Sequence, residues 1–169
     1  MSTVDPLIED FMAQKRIAVA GVSGKKKAAA NLIYAKLKEA GYKVYPVNPN
    51  AEKIDGDTCY PDLASLPEPV DGVVIGTRPS VAEEIVRQCV EHGVPRVWMH
   101  CSLGTHPRGS IRMGRAITSV SEEAVRLCKE NNIKVIPGAC PMMFCEPVDL
   151  PHRMIRGFLR LFGGFKDWD

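Results

Sequence analysis

The stretch Arg16-Ile-Ala-Val-Ala-Gly-Val-Ser-Gly-Lys-Lys-Lys27, running on into Ala-Ala-Ala-Asn-Leu-Ile33, decides the fold. An apolar, β-prone run enters a turn bearing Gly21 and Gly24, three lysines follow, and an alanine-rich helix begins. Parallel α/β domains use this order to aim a helix N-terminus and backbone N–H groups at a phosphate.

The pattern repeats along the chain. Short runs rich in β-branched residues predict strands at Arg16–Ala20, Lys43–Val47, 72–76, 94–100 and 133–136. A short helix is expected over 4–13, and a longer one over 29–40 that stops at Gly41. Ser80-Val-Ala-Glu83 and Ser119-Val-Ser-Glu122 have capping-box spacing and predict the starts of two more helices. Residues 62–67 read as a single turn of helix. Strands alternating with helices imply right-handed crossovers and a parallel sheet. The expected fold is therefore a three-layer, Rossmann-like α/β domain with a five-stranded parallel sheet in the order 3-2-1-4-5.

The length of 169 residues suits one domain over 1–169, with an N-terminal helix inside 1–14 and an amphipathic helix over 151–163. A net charge of +2 gives no overall field that would attract nucleic acid. No apolar run approaches the ~20 residues that span a bilayer. Six cysteines without a CxxC pair, and an N-terminus lacking basic and apolar signal regions, point to a reduced, cytoplasmic protein.

Ligands of such sheets lie outside the carboxyl ends of the strands, so the residues just after each strand are the candidates. The first turn, Gly21-Val22-Ser23-Gly24, is not a full GxGxxG, because Lys26 stands where the third glycine belongs. It is not a Walker A loop either. At the end of the second strand, Val47-Asn48-Pro49 carries no carboxylate, whereas NAD-binding domains place Asp or Glu there for the ribose. A phosphorylated ribose beside Lys25, Lys26 and Lys27 is therefore acceptable. That permits NADP or coenzyme A and disfavours NAD, without choosing between the first two.

Thr77, Arg78 and Pro79 follow the third strand and are expected at the crevice. Cys101 and Cys140 follow the fourth and fifth. A catalytic thiol needs a base, and His100 is the nearest in sequence, yet alternation along a strand points His100 and Cys101 to opposite sides. Covalent catalysis and a metal site are not expected. The arginine-rich segment 105–115 reads equally as a lid or as a surface excursion. In the tail, Met154, Ile155, Phe158, Leu159 and Phe162 share one helical face. That face is expected to pack on the sheet or on a second copy of the chain, which makes a homodimer a candidate assembly, and no membrane association is expected.

The Gly-Val-Ser turn, Val47-Asn48-Pro49, Asp71-Gly-Val-Val-Ile-Gly-Thr77, Val97-Trp98-Met99 and above all Pro137-Gly-Ala-Cys-Pro-Met-Met-Phe-Cys-Glu-Pro-Val-Asp149 resemble the small stand-alone CoA-binding domain proteins. Those are relatives of the N-terminal domain of the succinyl-CoA synthetase alpha subunit. The resemblance implies that Gly21, Val22 and Ser23 line the CoA diphosphate and that the basic loop meets phosphate. Asn48 and Pro49 would flank the adenosine, Thr77, Arg78 and Pro79 the nucleotide and pantetheine, and the Cys140 turn the pantetheine end. Two features depart from the family pattern: the helix opens Lys27-Ala-Ala-Ala-Asn31 instead of with arginine and a hydroxyl residue, and segment 105–115 is long. The ligase domains of the larger family members are not in this sequence. The expected function is binding of CoA or an acyl-CoA through its 3′-phospho-ADP moiety, in a binding or regulatory role without catalysis. The alternative is an NADP-dependent oxidoreductase or NADP sensor.

Overall fold

A computed structural model describes residues 4–25, 28–102, 104–105 and 118–165. Helix α1 (Asp5–Met12) precedes strand β1 (Arg16–Ala20), helix α2 (Ala29–Glu39) and strand β2 (Lys43–Val47). A small hairpin of β3 (Lys53–Ile54) and β4 (Asp57–Thr58) follows. Then come β5 (Gly72–Ile75), α3 (Pro79–Glu91), β6 (Arg96–Met99), α4 (Glu122–Glu130) and β7 (Lys134–Pro137). A single 3-10 turn (Pro141–Met143) leads to α5 (Leu150–Leu161). Residues 62–67 form a turn rather than helix, with Ser65 N–H and Oγ both donating to Asp62 Oδ1.

The five long strands make one parallel sheet in the order β2-β1-β5-β6-β7. Both the α/β class and the strand count agree with the sequence reading, but the order 3-2-1-4-5 does not. The third predicted strand, now β5, pairs with β1 on the side away from β2. Pro46 supplies the physical reason. Its position in β2 faces away from β1, and proline has no N–H to donate there, so the outer edge of β2 is a poor template for a further strand. Among the described residues one pairs with it. Tyr60 N–H donates to Pro46 O at 2.9 Å, and Asn48 N–H donates to Tyr60 O at 2.9 Å. At the other side, Asp71 N–H donates to Arg16 O at 2.8 Å and the Asp71 carboxylate accepts from Arg16 N–H at 2.9 Å, which pins the start of β5 on β1.

Alternation along the strands sorts the core into two layers. Ala18, Ala20, Val73, Ile75, Val97, Met99 and Val135 face α3 and α4. Ile17, Val19, Val74, Trp98 and Ile136 face α1, α2 and the 3-10 turn. Trp98 is fully buried on that second side, edge-on to Phe11 at 5.4 Å between ring centroids, and its indole N–H donates to Gly138 O at 2.8 Å.

Two helix starts differ from the capping-box reading. Helix α3 begins one residue before Ser80, with Arg78 at the N-cap and Pro79 as the first helical residue, where its fixed φ and missing N–H fit. Helix α4 is capped by Ser121, whose Oγ accepts from Ala124 N–H. Ser119 cannot serve, because its own N–H donates to His100 O at 2.8 Å and holds the chain extended there. Lys26, Lys27 and residues 106–115 of the arginine-rich segment lie outside the described residues.

Candidate functional site

The chain leaves β1 towards β2 on one side and reaches β5 on the other, so the direction of winding reverses between β1 and β5. Neighbouring loops diverge at such a point and leave a crevice. Gly21 and Gly76 stand on its two sides. Gly21 has φ +99°, and a Cβ there would come within 2.6 Å of the Gly76 carbonyl oxygen. Glycine is required on both counts. The Gly21 N–H donates to Val47 O at 3.2 Å, so this residue serves by its small size rather than by offering a donor.

A cleft of about 280 Å³ opens at this point, at the carboxyl ends of β1, β2 and β5. Ala20, Gly21, Val47, Asn48, Pro49 and Thr77 line its floor and one wall, and Val81 and Ile85 of α3 line another. Its surface is mostly apolar, with a few polar groups at the rim, as suits a planar base. An Arg87–Glu84 ion pair of 3.2 Å lies beside it on α3.

Asn48 is a brace rather than a free donor. Its side-chain amide donates to Val22 O, and its Oδ1 accepts from Asn50 N–H at 2.8 Å. Asn31 holds the same loop from the other side. Its Oδ1 accepts from Ser23 N–H at 2.9 Å and Ala28 N–H at 3.3 Å, while its Nδ2 donates to Ser23 O at 2.9 Å. Sequence reasoning missed Asn31. The available signal was its position three residues into the helix, from which a side chain reaches back to the cap.

A second, more polar cleft of about 290 Å³ lies beside the loop, lined by Ser23, Gly24, Lys25, Asn31, Lys53, Ile54 and Asp55. Lys53 was also missed. It sits on the β3–β4 hairpin, whose turn residues Asp55 and Gly56 have φ 49° and 89°. The Asp-Gly pair was the legible signal for that hairpin.

The structure thus gathers Gly21, Asn48, Pro49 and Thr77 on one cleft and Ser23 and Lys25 on the next. Val22, fully buried, connects the two through its backbone. Arg78 and Pro79 open α3 immediately after Thr77, with Arg78 exposed. Cys140 is not among them. It packs with Val22, Ala139 and Met143 on the α2 side of the sheet, whereas the first cleft opens towards α3. Burial pushes its thiol up to about 11. His100 is buried as well, and desolvation lowers it to about 4. Among the described residues no group of three or more His, Cys, Asp or Glu could hold a metal ion.

A doubly wound parallel sheet with a glycine-lined cleft where the winding reverses defines a nucleotide-binding α/β domain. Comparison with known families narrows the class: the chain belongs to the family described as "CoA binding domain", whose profile matches residues 15–146. It is 35% identical over 92 residues to the acetate–CoA ligase (ADP-forming) II of Archaeoglobus fulgidus, covering 53% of this chain and 14% of the ligase. The chain therefore corresponds to a small part of that relative's length. It is 26% identical over 132 residues to the uncharacterized protein YneT of Bacillus subtilis, covering 78% of this chain and 86% of YneT. Among solved structures, a hypothetical protein from Pyrococcus horikoshii OT3 superposes with a TM-score of 0.71 at 27% identity, covering 86% of this chain and 92% of that one.

Proposed function

We propose that this chain binds coenzyme A or an acyl-CoA through the 3′-phospho-ADP moiety, as a binding or regulatory protein without catalysis of its own. The observation that carries the reading is the meeting of Gly21, Asn48, Pro49 and Thr77 on one mostly apolar cleft at the carboxyl edge, in a chain whose family binds CoA. The adenine lies between Pro49 and the Val81–Ile85 face of α3. The diphosphate passes the Gly21–Val22–Ser23 turn. Lys25 and Lys53 are the cations for phosphate, joined by Lys26 and Lys27 from the same loop. Thr77, Arg78 and Pro79 border the nucleotide where the pantetheine leaves it, and the Cys140 turn lies towards the far end of that arm.

Asn48 favours this reading over an NAD site by its neutrality. A carboxylate in its place would face the ribose phosphate and repel it. The absence of catalysis is supported by the state of Cys140 and His100, a thiol and an imidazole that follow the strand ends. A thiol held near 11 is almost wholly protonated at neutral pH, and an imidazole held near 4 is a weak base.

Calorimetric titration with CoA, dephospho-CoA, NADP and NAD tests the proposal. CoA is expected to bind, dephospho-CoA to bind several-fold more weakly, and NAD not to bind. Tight NADP binding with no response to CoA would overturn it and restore the oxidoreductase or NADP-sensor reading.

A further inference from the structure

Helix α5 is unlike the other helices of this fold. Helix α3 buries Ala82, Ile85, Val86 and Cys89, whereas α5 buries none of its residues. It is held to the domain by a narrow inner edge. Leu159 packs on the α2-side core, Arg156 Nη1 donates to Met143 O at 2.8 Å, and Arg160 Nη2 meets Asp5 Oδ1 at 3.4 Å. The outer face carries Leu150, Met154, Phe158, Leu161 and Phe162, which are between 62% and 79% exposed. At 100° per residue the first four fall within an arc of about 80°, so they form one continuous stripe along the helix. Phe158 and Phe162 extend it with ring centroids 4.4 Å apart.

We propose that this stripe is the interface of a two-fold symmetric homodimer, in which α5 of one chain packs antiparallel on α5 of a second copy. The area favours this occupant. Five large apolar residues, each about two-thirds uncovered, present on the order of 700 Å² of surface, close to the ~800 Å² per partner of a standard specific interface. Soluble monomers rarely leave an apolar patch of that size open. Gly157 supplies a place for the two helices to meet. It is exposed, has nothing within 4 Å of its Cβ position, and sits mid-helix, where glycine costs about 0.5–1 kcal/mol relative to alanine. The gap beside Met154 and Leu161 accepts a Phe158 ring from the partner helix. Antiparallel packing also sets opposite ends of the helix dipoles together.

The charges speak against a lipid surface as the occupant. An interfacial helix directs its cations to anionic headgroups. Here Arg156 is tied to the Met143 carbonyl and Arg160 to Asp5, which leaves Arg153 alone of the three without a partner among the described residues. Asp149, at the N-cap, adds a negative charge at one end of the stripe.

The test is sedimentation or light scattering of the full chain between about 1 and 100 μM, with no ligand needed. The expected mass at the upper end is twice the 18.6 kDa of the chain. Phe158→Glu is expected to raise the dissociation constant at least ~100-fold, leaving a monomer with unchanged circular dichroism, because the side chain is exposed in the single chain. Leu32→Gln, which removes an exposed leucine on α2, leaves the doubled mass intact. A monomer at every concentration overturns the proposal. So does co-sedimentation of a monomer with phosphatidylglycerol vesicles that Phe158→Glu abolishes. A doubled mass that survives both Phe158→Glu and Met154→Glu overturns it equally, since the interface then lies elsewhere.

Discussion

The two ends of the sheet are built on opposite principles. At the amino edge, charged side chains pair with one another. Arg16 meets Asp71 at 2.7 Å, Arg96 and Lys134 both meet Asp10, at 2.7 Å and 3.1 Å, and Glu68 joins Lys43 and Tyr45. At the carboxyl edge the first cleft is lined mostly by glycine, neutral amide, hydroxyl and apolar groups, with Glu84, paired to Arg87, on its α3 side, and the asparagine side chains brace loops. Charge is satisfied internally where strands start, whereas Lys25 and Lys53, beside the strand ends, have no ion pair among the described residues. The difference separates an end that stabilises the sheet from the end we propose for an anionic ligand.

Substitutions should split along this line. The largest effect is expected for Gly21→Val, which forces a β-branched residue to φ +99° and places Cβ against the Gly76 backbone. It should cost roughly 3 kcal/mol or more in denaturant unfolding and abolish CoA binding together with it. Asn48→Asp should act on the ligand more than on the fold. It removes the donor to Val22 O and adds a negative charge beside the cleft, so calorimetry should find CoA affinity ~10–100-fold lower, with stability reduced by only about 1 kcal/mol for the lost brace.

Asp10→Asn should do the reverse, weakening the fold by about 1 kcal/mol near neutral pH while leaving CoA affinity unchanged. The Arg96 guanidinium, helped by Lys134, holds the Asp10 carboxyl down at about 2, below its ordinary unfolded value of about 3.9. A depressed folded pKa stabilises above the unfolded value and ceases to do so as pH falls through the folded one. The gap between wild type and Asp10→Asn should therefore be full above about pH 4 and close by about pH 2 in acid-unfolding curves. The smallest effect is expected for Lys25→Ala, a three- to tenfold loss of CoA affinity that shrinks with added salt and narrows the difference between CoA and dephospho-CoA.

Much of the fold was legible because its signals are local. The buried strands announce themselves as runs such as Ile17-Ala-Val-Ala20, and α2 ends at Gly41, which has φ 90°. Strand order is a long-range property, and it turned on Pro46 and the Arg16–Asp71 contact, which no local window joins. Tyr60 escaped notice because one paired residue has no periodicity. Of the candidate site, the glycine turn, Asn48 and Thr77 could be read from topology, and Pro49 from the family resemblance. The uses of Asn48 and Asn31 as braces could not, since both depend on which backbone groups the folded loop leaves without partners. The Cys140 turn took its place at the pantetheine end from the family resemblance, not from periodicity. Its side chain lies in the α2-side core and off the first cleft, because the turn at Gly138 and Ala139, with φ 120° and 62°, carries it there.

Hydrogen exchange with and without saturating CoA tests the division between the two ends most directly. Protection is expected in peptides covering residues 21–25, 48–50 and 76–79, with peptides covering residues 14–16 and 68–71 at the amino edge unchanged. Protection centred on the amino edge, or a carboxyl edge that responds to NADP and not to CoA, would contradict the account.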